Sequence, residues 1–221
     1  VRARYGASIA LLLAALLFGC GGNSGSGYGG GSDGGNSESE STGGGGESSG
    51  GTEALVWGDG ERGVVLSHGA AYDAASWKPQ AREIAKNDGA VLAVEETSKA
   101  SIEAAANYLK EERGAKSITL IGASAGGGPV LEAAGSSDVA DGVILLSSTG
   151  DVSNLGDYPK LFVASEGESM SSQVRQMAKD APGGKNEALI LSGDAHAQAI
   201  FDGDQGDKLL QAIIKRVEEN S

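Results

Sequence analysis

Ser124 sits in Gly122-Ala123-Ser124-Ala125-Gly126, a G-x-S-x-G pentapeptide. A serine hydroxyl attacks a carbonyl only when a neighbouring base takes its proton. The chain holds two histidines, His68 in Leu66-Ser67-His68-Gly69-Ala70 and His196 in Ser192-Gly193-Asp194-Ala195-His196, so candidates for that base are few. The pentapeptide is weak by itself in a chain with 37 glycines, and it occurs twice more, around Ser32 and Ser48. Only the copy at Ser124 follows a strand-like apolar run, 117–121, and precedes a helix-forming stretch, 129–134. That context turns the motif into a strand-to-helix elbow. The elbow would strain the serine backbone and aim the Ala125 N–H, at the positive end of the helix, toward a developing oxyanion.

The elements that must position these residues are legible as alternating patterns. Strands are expected at 55–57, 63–67, 91–94, 117–121, 142–147, 160–165 and 187–191. The later runs are apolar at both alternations, as in strands buried on two faces. Gly58-Asp59-Gly60-Glu61, between the first two, reads as a hairpin turn. Helical spacing links Ile102, Ala106 and Leu109. It also links Met170, Val174, Met177 and Ala181, and it joins Leu209, Leu210, Ile213, Ile214 and Val217. Ser98 or Ser101 could cap the first of these helices, and Gly114 could end it. Such alternation specifies a mostly parallel sheet covered on both faces. In that sheet Ser124, His68 and His196 all fall at the C-terminal strand ends, where ligands bind.

Taken together, the His-Gly step at 68–69, the elbow at 122–126, an acidic turn after 160–165 and the late His196 resemble the α/β-hydrolase superfamily. The resemblance covers residues 55–217 and is nearest to small lidless dienelactone-hydrolase-like and esterase members. It implies a three-layer α/β fold of about seven strands without a lid domain, and the order serine, acid, histidine. By that mapping His196 is the general base. His68 is then structural, holding the loop whose Ala70 N–H joins Ala125 in the oxyanion hole. The acid would lie in Ser165-Glu166-Gly167-Glu168-Ser169, where the family usually has an aspartate and this chain has none. Glu168 matches the position best, Glu166 is its near rival, and Asp151 is an alternative after the preceding strand. A glutamate can orient an imidazole and stabilise its cation as an aspartate does. Asp194 is too close to His196 along the chain to approach its ring.

The implied reaction is hydrolysis of small or short-chain esters through an acyl-enzyme. Only about a dozen residues separate strands 142–147 and 160–165, where the superfamily inserts lids, so little apolar surface remains to clasp a long acyl chain. Tyr72 and Trp77 are candidates for the pocket wall, or else they pack the first helix against the sheet. Rival readings are a non-catalytic lipoprotein that binds a cell-envelope partner, and a thioesterase or acyltransferase using the same triad. No metal-ligand cluster or cofactor motif is present in the sequence.

The first 52 residues read differently. Arg2 and Arg4 precede an uncharged apolar run, 7–18, shorter than the roughly 20 residues of a membrane-spanning helix. This is the pattern of a secretory signal. The only cysteine, Cys20, closes it in Leu17-Phe18-Gly19-Cys20, which resembles a bacterial lipobox and implies a lipidated, extracytoplasmic, membrane-anchored protein. Residues 21–52 are mostly glycine and serine, with too little to bury, and are expected to be a disordered tether of roughly 30 Å root-mean-square span. Residues 53–221 are the expected hydrolase domain. The chain carries 30 acids against 17 Lys and Arg, net −13, which argues against nucleic-acid binding. A monomer acting on a small molecule is the expected state.

Overall fold

The computed structural model describes residues 54–220. The expected signal, Cys20 and the tether lie outside them. Seven strands form one sheet: β1 (Ala54–Trp57), β2 (Arg62–Ser67), β3 (Gly89–Val94), β4 (Ser117–Ala123), β5 (Gly142–Leu146), β6 (Lys160–Ser165) and β7 (Asn186–Leu191). Their order is β1-β3-β2-β4-β5-β6-β7, and every pairing except β1 with β3 is parallel.

All seven expected strands are present, but the hairpin is not. β2 is paired on both sides, with Val64 opposite Val91 of β3 and Thr119 of β4, so it offers β1 no free edge. β1 adds antiparallel to the outer edge of β3 instead, Leu55 facing Ala93. The glycine-rich turn carries the chain across the start of β3. There Arg62 N–H donates to the Asp88 carbonyl at 3.1 Å, and the Arg62 guanidinium pairs with the Asp88 carboxylate at 3.1 Å. The glycines signalled a change of direction correctly, but a local turn signal does not name the partner strand.

Helices α1 (Lys78–Ala85), α2 (Lys99–Glu111), α3 (Gly127–Ser136), α4 (Ser171–Asp180) and α5 (Gly206–Glu219) cover the two faces. Ser98 caps α2, its hydroxyl accepting the Ser101 N–H at 3.2 Å. Alternation along each strand divides the core. Val65, Leu120 and Phe162 face α2, α3 and α4 through Ile102, Leu109, Val130, Val174 and Met177. Leu66, Ile121 and Val163 face α1 and α5 through Ile84, Leu209, Ile213 and Val217. Each such side chain contributes about 1.5–3 kcal/mol on burial, which fixes the register of the central strands. β7 departs from the two-sided expectation. As an edge strand it is only partly buried, with Glu187 exposed. Residues 147–159, between β5 and β6, contain neither helix nor strand, so no lid stands there.

Candidate active site at the carboxyl ends of the strands

β4 ends at Ala123, and the chain turns sharply into α3. Ser124 has φ +49°, a left-handed conformation that non-glycine residues rarely adopt. The flanking glycines are sterically required. A methyl group at Gly122 would meet the Gly127 Cα and the Gly126 carbonyl oxygen, and one at Gly126 would meet the Ser67 and His68 carbonyl oxygens. The elbow therefore exists because two backbones pass where no Cβ fits.

His196 follows β7 by five residues, and its ring joins two side chains. Nε2 lies 2.8 Å from Ser124 Oγ, and Nδ1 lies 2.6 Å from Glu168 Oε1. A carboxylate can only accept, so the Nδ1 proton is directed to Glu168 and Nε2 is left to accept from the serine hydroxyl. The three side chains thus form one line of hydrogen bonds across 72 residues of sequence.

Glu168 is held from several directions. The Ser165 O–Glu168 N–H bond (3.1 Å) closes a turn, and Glu168 Oε2 accepts the Ser165 N–H at 2.6 Å and the Ser147 hydroxyl at 2.8 Å. Its side chain is 7% exposed, so these donors satisfy a carboxylate that water scarcely reaches. Ser147 Oγ also accepts the Ala197 N–H at 2.9 Å, and Ser165 Oγ donates to the Ala195 carbonyl at 2.5 Å. The acid turn and the histidine loop are therefore fastened to each other. Of the four non-glycine residues with positive φ among the described residues, three lie here: Ser124, Ser147 (+46°) and Ala197 (+51°). Concentrated backbone strain of this kind is typical of functional sites.

The other candidate acids are elsewhere. Glu166 is exposed, its N–H donating to the Leu191 carbonyl at 2.7 Å. Asp151 accepts the Ser153 N–H at 2.9 Å, and that bond with the Ser153 hydroxyl holds its carboxyl below the ordinary value. Asp194 is exposed beside Gly167.

His68 lies off the serine, its ring between the carbonyl oxygens of Glu95 (3.0 Å from Nε2) and Gly69 (2.9 Å from Nδ1). The loop it begins passes close to the elbow, since a methyl at Gly69 would stand 3.5 Å from Ser124 Cβ and 3.6 Å from the Tyr72 ring. Ala70 and Ala125 are both exposed, and neither N–H enters a turn or loop hydrogen bond among the described residues. Tyr72, 36% exposed, is the one large hydrophobic side chain open to solvent among the described residues. Trp77 is 1% exposed and meets the Phe201 ring edge-on with centroids 6.0 Å apart, so it packs the start of α1 instead of lining a cleft. A cleft of about 530 Å³ opens between α3 and the 147–159 connection, lined by Gly128, Leu131, Glu132, Thr149 and Asn154, and neither Ser124 nor His196 lines it. No group of three or more His, Cys, Asp or Glu among the described residues could hold a metal ion.

Sequence reasoning assigns no role to Ser147 or Gln198, and none to Ser165 beyond its place at the head of the acid turn. Each is a small or polar residue at a strand end or just past the histidine. The available signal was a buried polar residue closing an apolar run, as in Leu145-Leu146-Ser147.

No protein-family model matches the chain, and no curated protein matches it in sequence. Solved structures do match in shape. A monoacylglycerol lipase from Paleococcus ferrophilus superposes with a TM-score of 0.60 at 14% identity, covering 77% of this chain and 99% of the lipase. A cold-adapted esterase from an Arctic intertidal metagenomic library gives 0.58 at 12% identity, covering 75% and 88%. A CIB-like hydrolase from Thermoplasma acidophilum gives 0.55 at 16%, covering 74% and 89%. At these identities the shared property is architecture: the chain has the α/β-hydrolase fold.

Proposed function

We propose that this protein is a serine hydrolase of small or short-chain esters, with Ser124 as nucleophile, His196 as general base and Glu168 as the orienting acid. The observation that carries the reading is the unbroken line from Ser124 Oγ through His196 to Glu168, at 2.8 and 2.6 Å, on a strained elbow. His196 Nε2 takes the serine proton as Oγ attacks the ester carbonyl. The Ala70 and Ala125 N–H groups receive the oxyanion. The imidazolium, steadied by Glu168, protonates the leaving alcohol. Water, deprotonated by the same nitrogen, then releases the acid.

The size preference draws support from the short coil at 147–159, which supplies no lid, and from Tyr72 as the lone large apolar side chain exposed among the described residues. In type this fits a lidless dienelactone-hydrolase-like esterase. Lipidation of Cys20 would hold the enzyme at the outer face of a membrane, and loss of membrane association in Cys20→Ala tests that part separately. For the activity, p-nitrophenyl esters of graded chain length are the test. Hydrolysis peaking at acetate or butyrate and absent in Ser124→Ala is expected. A palmitate optimum would overturn the size reading, and activity surviving in Ser124→Ala would overturn the nucleophile.

A further inference from the structure

We propose that Gln198 is a positioning residue for the oxyanion hole: it occupies the Gly69 N–H and so leaves the Ala70 N–H as the amide that faces the developing charge. The inference rests on the serine-hydrolase reading above. Gln198 is 5% exposed and lies two residues beyond His196, in the short 3-10 segment Ala197–Asp202. Its Oε1 accepts the Gly69 N–H at 2.8 Å, across 129 residues of sequence. Its Nε2 donates to Ser76 Oγ at 2.8 Å, and Ser76 Oγ in turn donates to the Asp73 carbonyl at 2.5 Å.

Both ends of one side-chain amide are thus committed to the loop that runs from His68 to α1. Within that loop the Tyr72 N–H closes a turn on the Gly69 carbonyl at 3.0 Å, so Ala70 and Ala71 form the turn's tip. A methyl group at Gly69 would reach both Ser124 Cβ (3.5 Å) and the Tyr72 ring (3.6 Å), so this turn runs beside the nucleophile. A peptide unit this close to the nucleophile can present one of two amides to an oxyanion. An unpaired Gly69 N–H would compete for that role and let the turn rotate. A side-chain carbonyl fixed on it removes the alternative. Preorganised donors act because they need not reorient as charge develops. Gln198 supplies that preorganisation from the same loop that carries the general base, coupling the two halves of the site.

Gln198→Met keeps the volume and removes both hydrogen bonds. The wild type and the variant are compared in two measurements: the rate of covalent labelling by a fluorophosphonate, which needs the oxyanion hole, and the downfield proton resonance of His196 Nδ1–H, which reports the bond to Glu168. The expected result is labelling slowed roughly ten- to a hundredfold, less than the 10²–10³ for deleting a donor outright, with the resonance kept and kcat falling more than KM rises. Unchanged labelling would overturn the proposal. Loss of the resonance together with labelling would also overturn it, because Gln198 would then merely support the histidine loop. If Gln198→Met does not fold, Ser76→Ala decides. It frees only the far end of the amide and should slow labelling several-fold with the resonance intact, and no slowing would overturn the proposal. A folded wild type that resists the reagent altogether removes the hydrolase reading itself, an outcome distinct from a defect confined to the variants.

Discussion

Strand β6 has a buried charge near each end, and the two are answered in opposite ways. At its start Lys160, fully buried, donates to the carbonyl oxygens of Gly156 (2.6 Å), Tyr158 (2.7 Å) and Pro182 (2.7 Å), and its ammonium lies 4.7 Å from the Tyr158 ring centre. Past its end Glu168 accepts from the Ser165 N–H, the Ser147 hydroxyl and His196. Both charges have three close hydrogen-bond partners, as burial demands. The difference lies in the partners. Backbone carbonyls neither give nor take a proton, and the Lys160 cage ties Gly156, Tyr158 and Pro182 to the sheet. One partner of Glu168 is an imidazole whose other nitrogen touches a hydroxyl. Lys160 is thus tied mainly to backbone, whereas Glu168 is tied through His196 to the Ser124 hydroxyl.

Substitutions at the two ends should separate these roles. Ser124→Ala should lower kcat about 10⁶-fold with the melting temperature unchanged, since triad serines act as part of a unit. Glu168→Gln should lower kcat about 10⁴-fold, because an amide in that place no longer fixes the imidazole tautomer. Steady-state kinetics on p-nitrophenyl butyrate reads both. At the other end, Lys160→Met should leave kcat unchanged. It strands three carbonyl oxygens, and at about 1–3 kcal/mol for each unpaired group, less what is regained by not burying a charge, denaturant titration should show a loss of about 3 kcal/mol.

The same substitution has a pH signature. Burial lowers the Lys160 pKa from 10.5 to about 8, with the charge of Asp157 opposing the shift. Between those two values the unfolded chain holds a proton that the folded chain has released, so the unfolding free energy of the wild type rises with pH across that window. Lys160→Met should lack this rise, and equilibrium unfolding at several pH values above 7 would detect it. A smaller catalytic effect than that of Glu168→Gln is expected for Ser147→Ala. It removes one hydroxyl from Glu168 and the acceptor of the Ala197 N–H. A hydrogen bond to a charged group contributes about 1.5–3 kcal/mol, so kcat should fall about ten- to a hundredfold while KM holds. A Ser147→Ala enzyme as impaired as Glu168→Gln would blur the contrast and make the acid's setting more decisive than its charge.

The sequence was most informative where one residue type leaves little choice. Two histidines, one of them late, and a single elbow with a strand before it led directly to the contact between Ser124 and His196. The strands were legible because apolar runs must be buried. Glu168 needed the structure to separate it from Glu166, two positions away, because turn geometry decides which side chain folds back under the histidine. The partner of β1 was illegible for a related reason: hydrogen bonding between strands depends on which edge is free, and β2 has none. Ser147 and Gln198 act across 50 and 129 residues of sequence, and no local pattern encodes such reach.

The central claim is that Ser124 becomes acylated. Mass spectrometry on enzyme quenched with acid during turnover of p-nitrophenyl butyrate tests this directly. A mass increase of one butyryl group is expected on the peptide that carries Ser124, accumulating in the wild type and absent from Ser124→Ala. Turnover with no acylated peptide, or acylation on another residue, would contradict it.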